Sequence, residues 1–168
     1  MSALNGIRIM DFSGHAAGPV CAMLLGDMGA EVIKVEALTG DESRKNSPRV
    51  RGQSAYWVQY NSGKKSLAID LRTDEGKQVL RDLVKVSDFF LQNFRPGTIA
   101  RMGFGYEALK RLNKGITLIN VSAYGQYGPS SARVGFDPIG QALGGMMMTN
   151  GMSGGPPART NFPLIDRI

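Results

Sequence analysis

Short segments in which hydrophobic and polar residues alternate are separated along this chain by stretches with helical periodicity. Residues 7–12 alternate and are β-prone, which predicts a first strand. A helix is predicted next, with Pro19 at its first position and Gly29 at its end. Residues 31–36 predict a second strand. A strand, a helix and a strand in so short a span form a βαβ unit, which indicates a parallel sheet with a right-handed crossover.

The rest of the chain repeats this alternation. Further strands are predicted at 66–71, 88–93 and 116–122. Helices are predicted from Thr73 as the N-cap, just after 95–98, over 106–112 and over 137–148. The polar residues 37–63 predict a loop. Five strands alternating with helices favour a doubly wound α/β fold with a mainly parallel sheet.

Length and composition fit this fold. The chain has 168 residues, of which 42% are hydrophobic, so it can bury the core of a single domain. It contains no apolar run long enough to predict a transmembrane helix, and its first residues do not resemble a signal peptide. A lone cysteine, Cys21, cannot form an intrachain disulfide, which favours a reducing, cytoplasmic location.

The charge is moderately basic, with 20 lysines and arginines against 14 acidic residues. This excess favours an anionic partner such as a phosphate group. The sequence has no basic stripe interleaved with aromatic residues, so it does not predict a nucleic-acid-binding surface. The local cluster of Arg44, Lys45, Arg49 and Arg51 is interpreted as a solvated loop in preference to a binding site.

Ligands of open α/β sheets bind beyond the carboxyl ends of the strands. Four predicted turns lie there, at 13–19, 37–41, 93–97 and 122–128. The first is rich in small residues, which lets a ligand approach the backbone N–H groups at the start of the helix. Arginines close to these strand ends are candidate phosphate anchors, although a lone arginine there is more often a surface charge.

Several other chemistries are disfavoured. Glu36 ends the second strand as a ribose-binding acid would, but Gly14 and Gly18 do not form the glycine pattern of a dinucleotide site, and the Walker phosphate motif is missing. His15 is the only histidine, so neither a histidine metal site nor a Ser-His-Asp triad is predicted. Methionines 146–148 with Met152 either pack in the core, the preferred interpretation, or line a flexible acyl pocket.

Read in order, several short segments resemble the family III CoA-transferases, which include formyl-CoA and carnitine CoA-transferases and the related α-methylacyl-CoA racemases. The matching stretches are 4–12, 17–19, 25–36, 40–44, 61–66, 93–97, 125–129 and 136–137. Each stretch alone is weak, and their common order along the chain makes the resemblance specific. It extends over nearly the whole chain.

The resemblance implies an interlocked homodimer whose subunits have a Rossmann-like large domain and a smaller domain. Residues 1–168 would then form the N-terminal part of the large domain, with the small domain and a C-terminal return segment absent. Such a protein would be a cytoplasmic enzyme that binds neither nucleic acid nor a membrane.

The resemblance also implies a site. CoA would lie along the carboxyl edge of the sheet, as a substrate and not as a permanently bound cofactor, and no metal is expected. The residues implied for CoA binding are Ala16, Ala17, Ile69, Arg72, Asn93, Phe94, Arg95, Arg101 and Asp137. Asp166 matches the catalytic aspartate of the family.

The implied reaction moves CoA from an acyl-CoA to a carboxylic acid through an aspartyl anhydride and an enzyme–CoA thioester. An ordinary aspartate is ionised at neutral pH and needs no partner base for this attack. Two alternatives remain: a 2-methylacyl-CoA racemase, and an inactive CoA-binding fragment.

Three positions depart from the family pattern. Ala37 replaces an arginine that helps to hold the adenine, and Ala16 replaces a polar residue of the formyl-CoA branch. Phe136 stands where the racemase branch carries a histidine, which disfavours racemase activity because that reaction needs two proton-transfer bases.

Overall fold

A parallel sheet with helices around it forms the centre of the molecule. The structure, a computed structural model, describes residues 2–167. The strands are β1 (Arg8–Phe12), β2 (Glu31–Glu36), β3 (Arg49–Val50), β4 (Gln53–Ser54), β5 (Lys65–Ala68), β6 (Phe89–Gln92) and β7 (Thr117–Asn120). The helices are α1 (Ala17–Asp27), α2 (Ala55–Asn61), α3 (Asp74–Lys85), α4 (Thr98–Arg101), α5 (Tyr106–Leu112) and α6 (Asp137–Leu143).

Five of the strands form the sheet, in the order β5-β2-β1-β6-β7, and all neighbouring strands in it are parallel. This confirms the predicted fold. The strand order reverses between β1 and β6, where Phe12 at the end of β1 is in register with Gln92 at the end of β6. The turns after these two strands therefore leave the sheet side by side, which is where α/β sheets form their binding crevices.

The βαβ unit at the start of the chain forms as predicted, with one correction. Pro19 is the third residue of α1 and not the first, a position where its missing N–H still removes no intrahelical hydrogen bond. Gly29 has a φ of 105°, so it ends the helix in a left-handed conformation as predicted. Gly18 allows α1 to start close to the sheet, since a Cβ there would lie 2.4 Å from that of Ser13.

The main core lies between the sheet and helices α3 and α5. The hydroxyl of Thr73 accepts a hydrogen bond from the Gly76 N–H at 3.0 Å, which confirms the predicted cap of α3. Leu80 and Val84 of that helix are fully buried and pack with Phe90 of β6. Val79 of the same helix is exposed.

The predicted loop over residues 37–63 is wrong in its second half. It contains the hairpin β3–β4 and helix α2, whose N-cap Ser54 accepts a hydrogen bond from the Trp57 N–H at 3.1 Å. Tyr60 of α2 is buried against Ala16 and Val20. A seven-residue helix is not stable by propensity alone, so this packing stabilises it.

The predicted helix over 137–148 is shorter than expected. Helix α6 ends at Leu143, and Gly145 then adopts a φ of 75° before a 3-10 turn at Met146–Met148. Strand β5 likewise ends at Ala68 and not at residue 71. Within residues 2–167, no helix combines the length and apolar character needed to cross a membrane.

Candidate active site

A cavity of about 930 Å³ opens at the carboxyl edge of the sheet. Residues from all four predicted turns line it, together with part of the segment 131–136. The sheet thus brings together turns that are far apart in the sequence, as the position of ligands in α/β proteins predicts. A volume of this size accommodates a large organic ligand.

The structure distributes the predicted CoA-binding residues unevenly. Those that line this first cavity are Ile69, Arg72, Asn93, Phe94 and Arg95. Ala16 and Ala17 line a second, adjoining cavity. Arg101 and Asp137 line neither of the two cavities. The exposed guanidinium of Arg101 donates to the hydroxyl of Thr98 at 2.9 Å, within its own helix.

Three arginines line the first cavity: Arg72, Arg95 and Arg133. The four acidic residues that also line it each form an ion pair with a basic side chain. Arg72 forms an exposed ion pair with Asp70 at 2.7 Å, and its hydrogen bonds lower the pKa of Asp70 to about 2. Arg133 was missed in the sequence because it lies in an irregular segment outside the predicted turns. Forked guanidinium groups of this kind suit phosphate oxygens.

Asn93 uses its amide to fix the turn after β1. Its Oδ1 accepts from the Gly14 N–H at 2.9 Å, and its Nδ2 donates to the Gly14 carbonyl at 2.8 Å. These two bonds join the turns that follow β1 and β6 across the switch point. The side chain of this predicted binding residue therefore shapes the cavity wall.

Glu36 is already saturated by protein partners, which excludes the ribose-binding role that its position suggested. It accepts hydrogen bonds from Arg44 Nε at 2.8 Å, the hydroxyl of Ser66 at 2.9 Å and the Asp41 N–H at 3.0 Å. Burial raises the pKa of Glu36, but these hydrogen bonds outweigh it and the net pKa is lowered.

Arg44 also lies 3.6 Å over the Trp57 ring, so its assignment to a solvated loop was wrong.

Two buried ion pairs lie beneath the first turn, and sequence patterns missed both. The Nζ of Lys34 is 3.0 Å from Asp41 Oδ2 and also donates to the Ser13 carbonyl. The Nζ of Lys64 is 2.7 Å from Asp11 Oδ2 and donates to the Pro19 carbonyl at 2.9 Å. Because the buried lysines bond the carbonyls of the turn as well as the carboxylates, they fix the turn from below.

The second cavity, of about 700 Å³, holds Asp166. It shares His15, Asn93, residues 122–124, Gly135 and Phe136 with the first cavity, so the two cavities adjoin. Asp166 is partly buried. Burial raises the pKa of its carboxyl group, the negative charge of Asp137 raises it further, and His15 partly opposes the shift.

Side chains from two helices hold the 3-10 turn Ile165–Arg167 that carries Asp166. Asp137 of α6 accepts a hydrogen bond from the Ile165 N–H at 2.7 Å. On the other side, Arg167 donates to the Tyr60 hydroxyl of α2 and lies 5.0 Å over its ring. The helix that sequence analysis missed thus contributes directly to the position of Asp166.

His15 lies where the two cavities meet. It has a φ of 63°, and its ring contacts that of Phe136 edge-on at 6.5 Å between centroids. It is a turn residue, as predicted, and it lines both cavities.

The methionine cluster does not line either of these cavities. Met148 and Met152 are exposed, so the prediction that they pack in the core is wrong for these two. Among residues 2–167, no group of three or more histidine, cysteine, aspartate or glutamate side chains has the geometry to hold a metal ion.

Comparisons with known proteins agree on the family. The sequence profile of CoA-transferase family III matches residues 4–168. The chain is 41% identical over 167 residues to a succinyl-CoA–D-citramalate CoA-transferase of Chloroflexus aurantiacus, covering 98% of this chain and 42% of that protein. It is 38% identical over 168 residues to the mouse succinyl-CoA:glutarate CoA-transferase, covering 99% of this chain and 38% of the relative.

A solved structure shows the same architecture. The crystal structure of a CaiB/BaiF family protein from Brucella suis superposes with a TM-score of 0.92 at 34% identity, covering 98% of this chain and 45% of that one. The chain thus spans less than half the length of these relatives. From the profile match, the identities and the shared parallel sheet, we conclude that the chain belongs to CoA-transferase family III.

Proposed function

We propose that the complete protein transfers CoA from an acyl-CoA to a carboxylic acid, with Asp166 as the nucleophile. The observation that supports this most is the position of Asp166 in the wall of a cavity that adjoins the arginine-lined cleft at the sheet edge. Because the cavities share wall residues, an acyl-CoA bound in the cleft could extend its acyl end towards Asp166. Family membership supports the same reaction class.

The first half of the reaction moves CoA from the donor acyl group to the carboxyl group of Asp166. A carboxylate oxygen of Asp166 attacks the thioester carbonyl carbon, the C–S bond breaks, and CoA leaves as a thiolate. The product is a mixed anhydride between the acyl group and Asp166. The thiolate then attacks the aspartyl carbonyl carbon, which releases the donor acid and leaves a β-aspartyl–CoA thioester.

The second half reverses these steps with the acceptor. Its carboxylate attacks the aspartyl carbonyl, expels the CoA thiolate and forms a new anhydride. The thiolate attacks the acyl carbonyl of that anhydride, giving the new acyl-CoA and a free Asp166 carboxylate. No net proton transfer is needed, so this chemistry requires no dedicated base.

CoA would be held by the first cavity throughout. Arg72, Arg95 and Arg133 are placed to neutralise its phosphates, while Phe94 and Ile69 offer apolar contacts. Retaining CoA between the two halves keeps the thiolate close to the anhydride, and such proximity is worth about 7–11 kcal/mol. Succinyl-CoA is the first acyl donor to test because two relatives are named for it.

We further propose that the complete protein is a homodimer with a second, smaller domain. The relatives are more than twice as long as this chain, which leaves room for such a domain. An inactive CoA-binding role for the isolated 168 residues is the alternative for the chain by itself. Titration of this chain with CoA separates binding from turnover.

The racemase alternative gains one specific observation. Phe136 replaces the expected histidine. His15, however, packs against the Phe136 ring and lies close enough to Asp166 to influence the pKa of its carboxyl group. His15 and Asp166 would therefore be the two bases of a racemase. Solvent deuterium that enters the α-carbon of a 2-methylacyl-CoA without CoA transfer would favour this reaction over the transferase.

Hydroxylamine trapping tests the proposal. The complete protein is incubated with succinyl-CoA and hydroxylamine, and the adduct is located by peptide mass spectrometry. We expect the adduct on Asp166 and none in a D166N variant. An adduct on another residue, with Asp166 unmodified during turnover, would contradict the mechanism.

A further inference from the structure

Asp137 is a buried acid that lies beside the nucleophile and outside both cavity walls. It is the first residue of α6 and is 6% exposed. Its Oδ1 accepts hydrogen bonds from the N–H groups of Ile165 at 2.7 Å and Asp166 at 3.4 Å. Its Oδ2 accepts one from Gln141 Nε2. Both carboxylate oxygens are thus used by the protein itself.

Gln141 extends this connection to a second point of the same segment. Its Oε1 accepts from the Thr160 N–H at 2.9 Å, and its Nε2 donates to the Thr160 hydroxyl at 2.8 Å. The Thr160 hydroxyl in turn donates to the Phe162 carbonyl at 2.7 Å. Helix α6 therefore binds the chain both before and at the 3-10 turn that carries Asp166.

Close packing accompanies these bonds. A Cβ at Gly140 would lie 2.6 Å from a side-chain carbon of Ile165, so only glycine lets α6 approach this closely. Because the bonds join backbone N–H groups to a side chain on a neighbouring helix, the position of the Asp166 backbone depends on Asp137.

Asp137 also places a negative charge close to the nucleophile. The other charged or titratable groups that face Asp166 are His15 from the turn after β1, Tyr56 from α2 and the adjacent Arg167. Repulsion from Asp137 disfavours the ionised aspartate. It is relieved when Asp166 becomes an uncharged anhydride or thioester, so the same charge favours formation of the covalent intermediates.

We propose that Asp137 is a positioning residue that holds the backbone of Asp166, and is not a contact to CoA. This inference rests on the proposed CoA transfer. It replaces the role that the family resemblance implied for Asp137, and it makes a different kinetic prediction. A CoA contact would act on KM, whereas a positioning residue acts on kcat.

The test compares D137A and D137N in the complete protein with succinyl-CoA. D137A removes both acceptors, and we expect kcat to fall by about 10- to 100-fold, as for a nucleophile displaced by about an ångström, with KM for the acyl-CoA unchanged within about threefold. D137N keeps an acceptor oxygen but loses the charge. We expect a smaller loss of kcat and an acid limb of kcat/KM that moves to lower pH.

The matched control is E107Q, which neutralises an exposed acid on α5 and is expected to change neither parameter. Thermal midpoints of all variants show whether they are folded. A rise of KM by tenfold or more at unchanged kcat, or an acid limb that stays in place in D137N, would overturn the proposal.

A readout independent of activity separates this inference from the proposed function. Hydrogen exchange of the Ile165 and Asp166 amides in the 168-residue chain is expected to accelerate in D137A and to change less in D137N. If the complete protein transfers no CoA but exchange accelerates, the proposed function fails and the positioning contact stands. Unchanged exchange in D137A would refute the contact itself.

Discussion

The turn at residues 13–19 and the segment from Gly144 to Arg167 both reach the second cavity, but the fold holds them in different ways. Buried lysines and the Asn93 amide fix the turn, as part of the core. The later segment exposes Met148 and Met152 and is held mainly by Asp137, Gln141 and Arg167.

The difference separates binding from chemistry. The walls that would hold CoA belong to the parallel sheet and its turns, so changes beneath them should reduce stability first. The proposed nucleophile, Asp166, belongs to a segment with few core contacts, so changes there should reduce activity while the fold persists. Four substitutions or titrations break or sharpen this comparison, in order of decreasing effect.

Replacing the proposed nucleophile, Asp166, should give the largest effect. D166A in the complete protein is expected to lower kcat by a factor on the order of 10⁴ or greater, because no other group forms the anhydride. The thermal midpoint should stay the same or rise, since a partly buried carboxylate next to Asp137 is removed. A stable D166A variant with normal turnover would refute the mechanism.

Breaking the buried ion pair beneath the turn should mainly reduce stability. K64M leaves Asp11 buried without its cation, and we expect the free energy of unfolding to fall by about 3–5 kcal/mol in denaturant titrations of this chain. The neighbouring K65M is the matched control. It breaks an exposed pair with Glu31, so a loss of at most about 1 kcal/mol is expected. Equal effects of the two substitutions would contradict the claim that the buried pair stabilises the turn.

Arginines inside and outside the cleft should differ in CoA affinity. R133A removes a charged lining residue, and a roughly tenfold rise in KM for the acyl-CoA is expected, consistent with one charged hydrogen bond. R101A, which lines neither cavity, should leave KM within about twofold. If R101A has the larger effect, the family-based assignment of Arg101 holds and the cleft described by the structure is incomplete.

The pH profile should show the smallest effect, a displaced acid limb. Asp166 must be ionised to attack, and burial followed by the charge of Asp137 raises its pKa. The kcat/KM of the complete protein should therefore fall, as pH is lowered, at a higher pH than for an ordinary aspartate.

The same raised pKa affects the stability of the fold in the opposite direction. It stabilises the folded state at low pH, and this contribution is lost as pH rises through the raised pKa. An acid limb at or below the ordinary aspartate range would contradict the buried environment.

Local patterns were enough to predict the parallel sheet, the caps at Thr73 and Gly29, and the turns around the first cavity. Each depends on residues close in sequence or on a rule of strand topology. Helix α2 was missed because its stability comes from burying Tyr60 against Ala16 and Val20, which lie 44 and 40 residues earlier in the chain.

The buried lysines show what a sequence conceals at the site. Lys34 lies on the same face of β2 as Val32, and both side chains are 2% exposed. A lysine at a position where the alternation of the strand calls for a buried apolar residue was therefore the sequence signal for this ion pair. The contact of Asp137 with the Asp166 turn had no such signal, because the two lie 29 residues apart and meet through a side chain and a backbone N–H.

Oxygen-18 transfer tests the central claim most directly. The complete protein turns over with an acceptor acid labelled in both carboxylate oxygens, and the peptide containing Asp166 is then weighed by mass spectrometry. The anhydride mechanism predicts that one labelled oxygen stays on Asp166 after the thiolate takes the acyl group. Steady CoA transfer with an unlabelled Asp166 would contradict it.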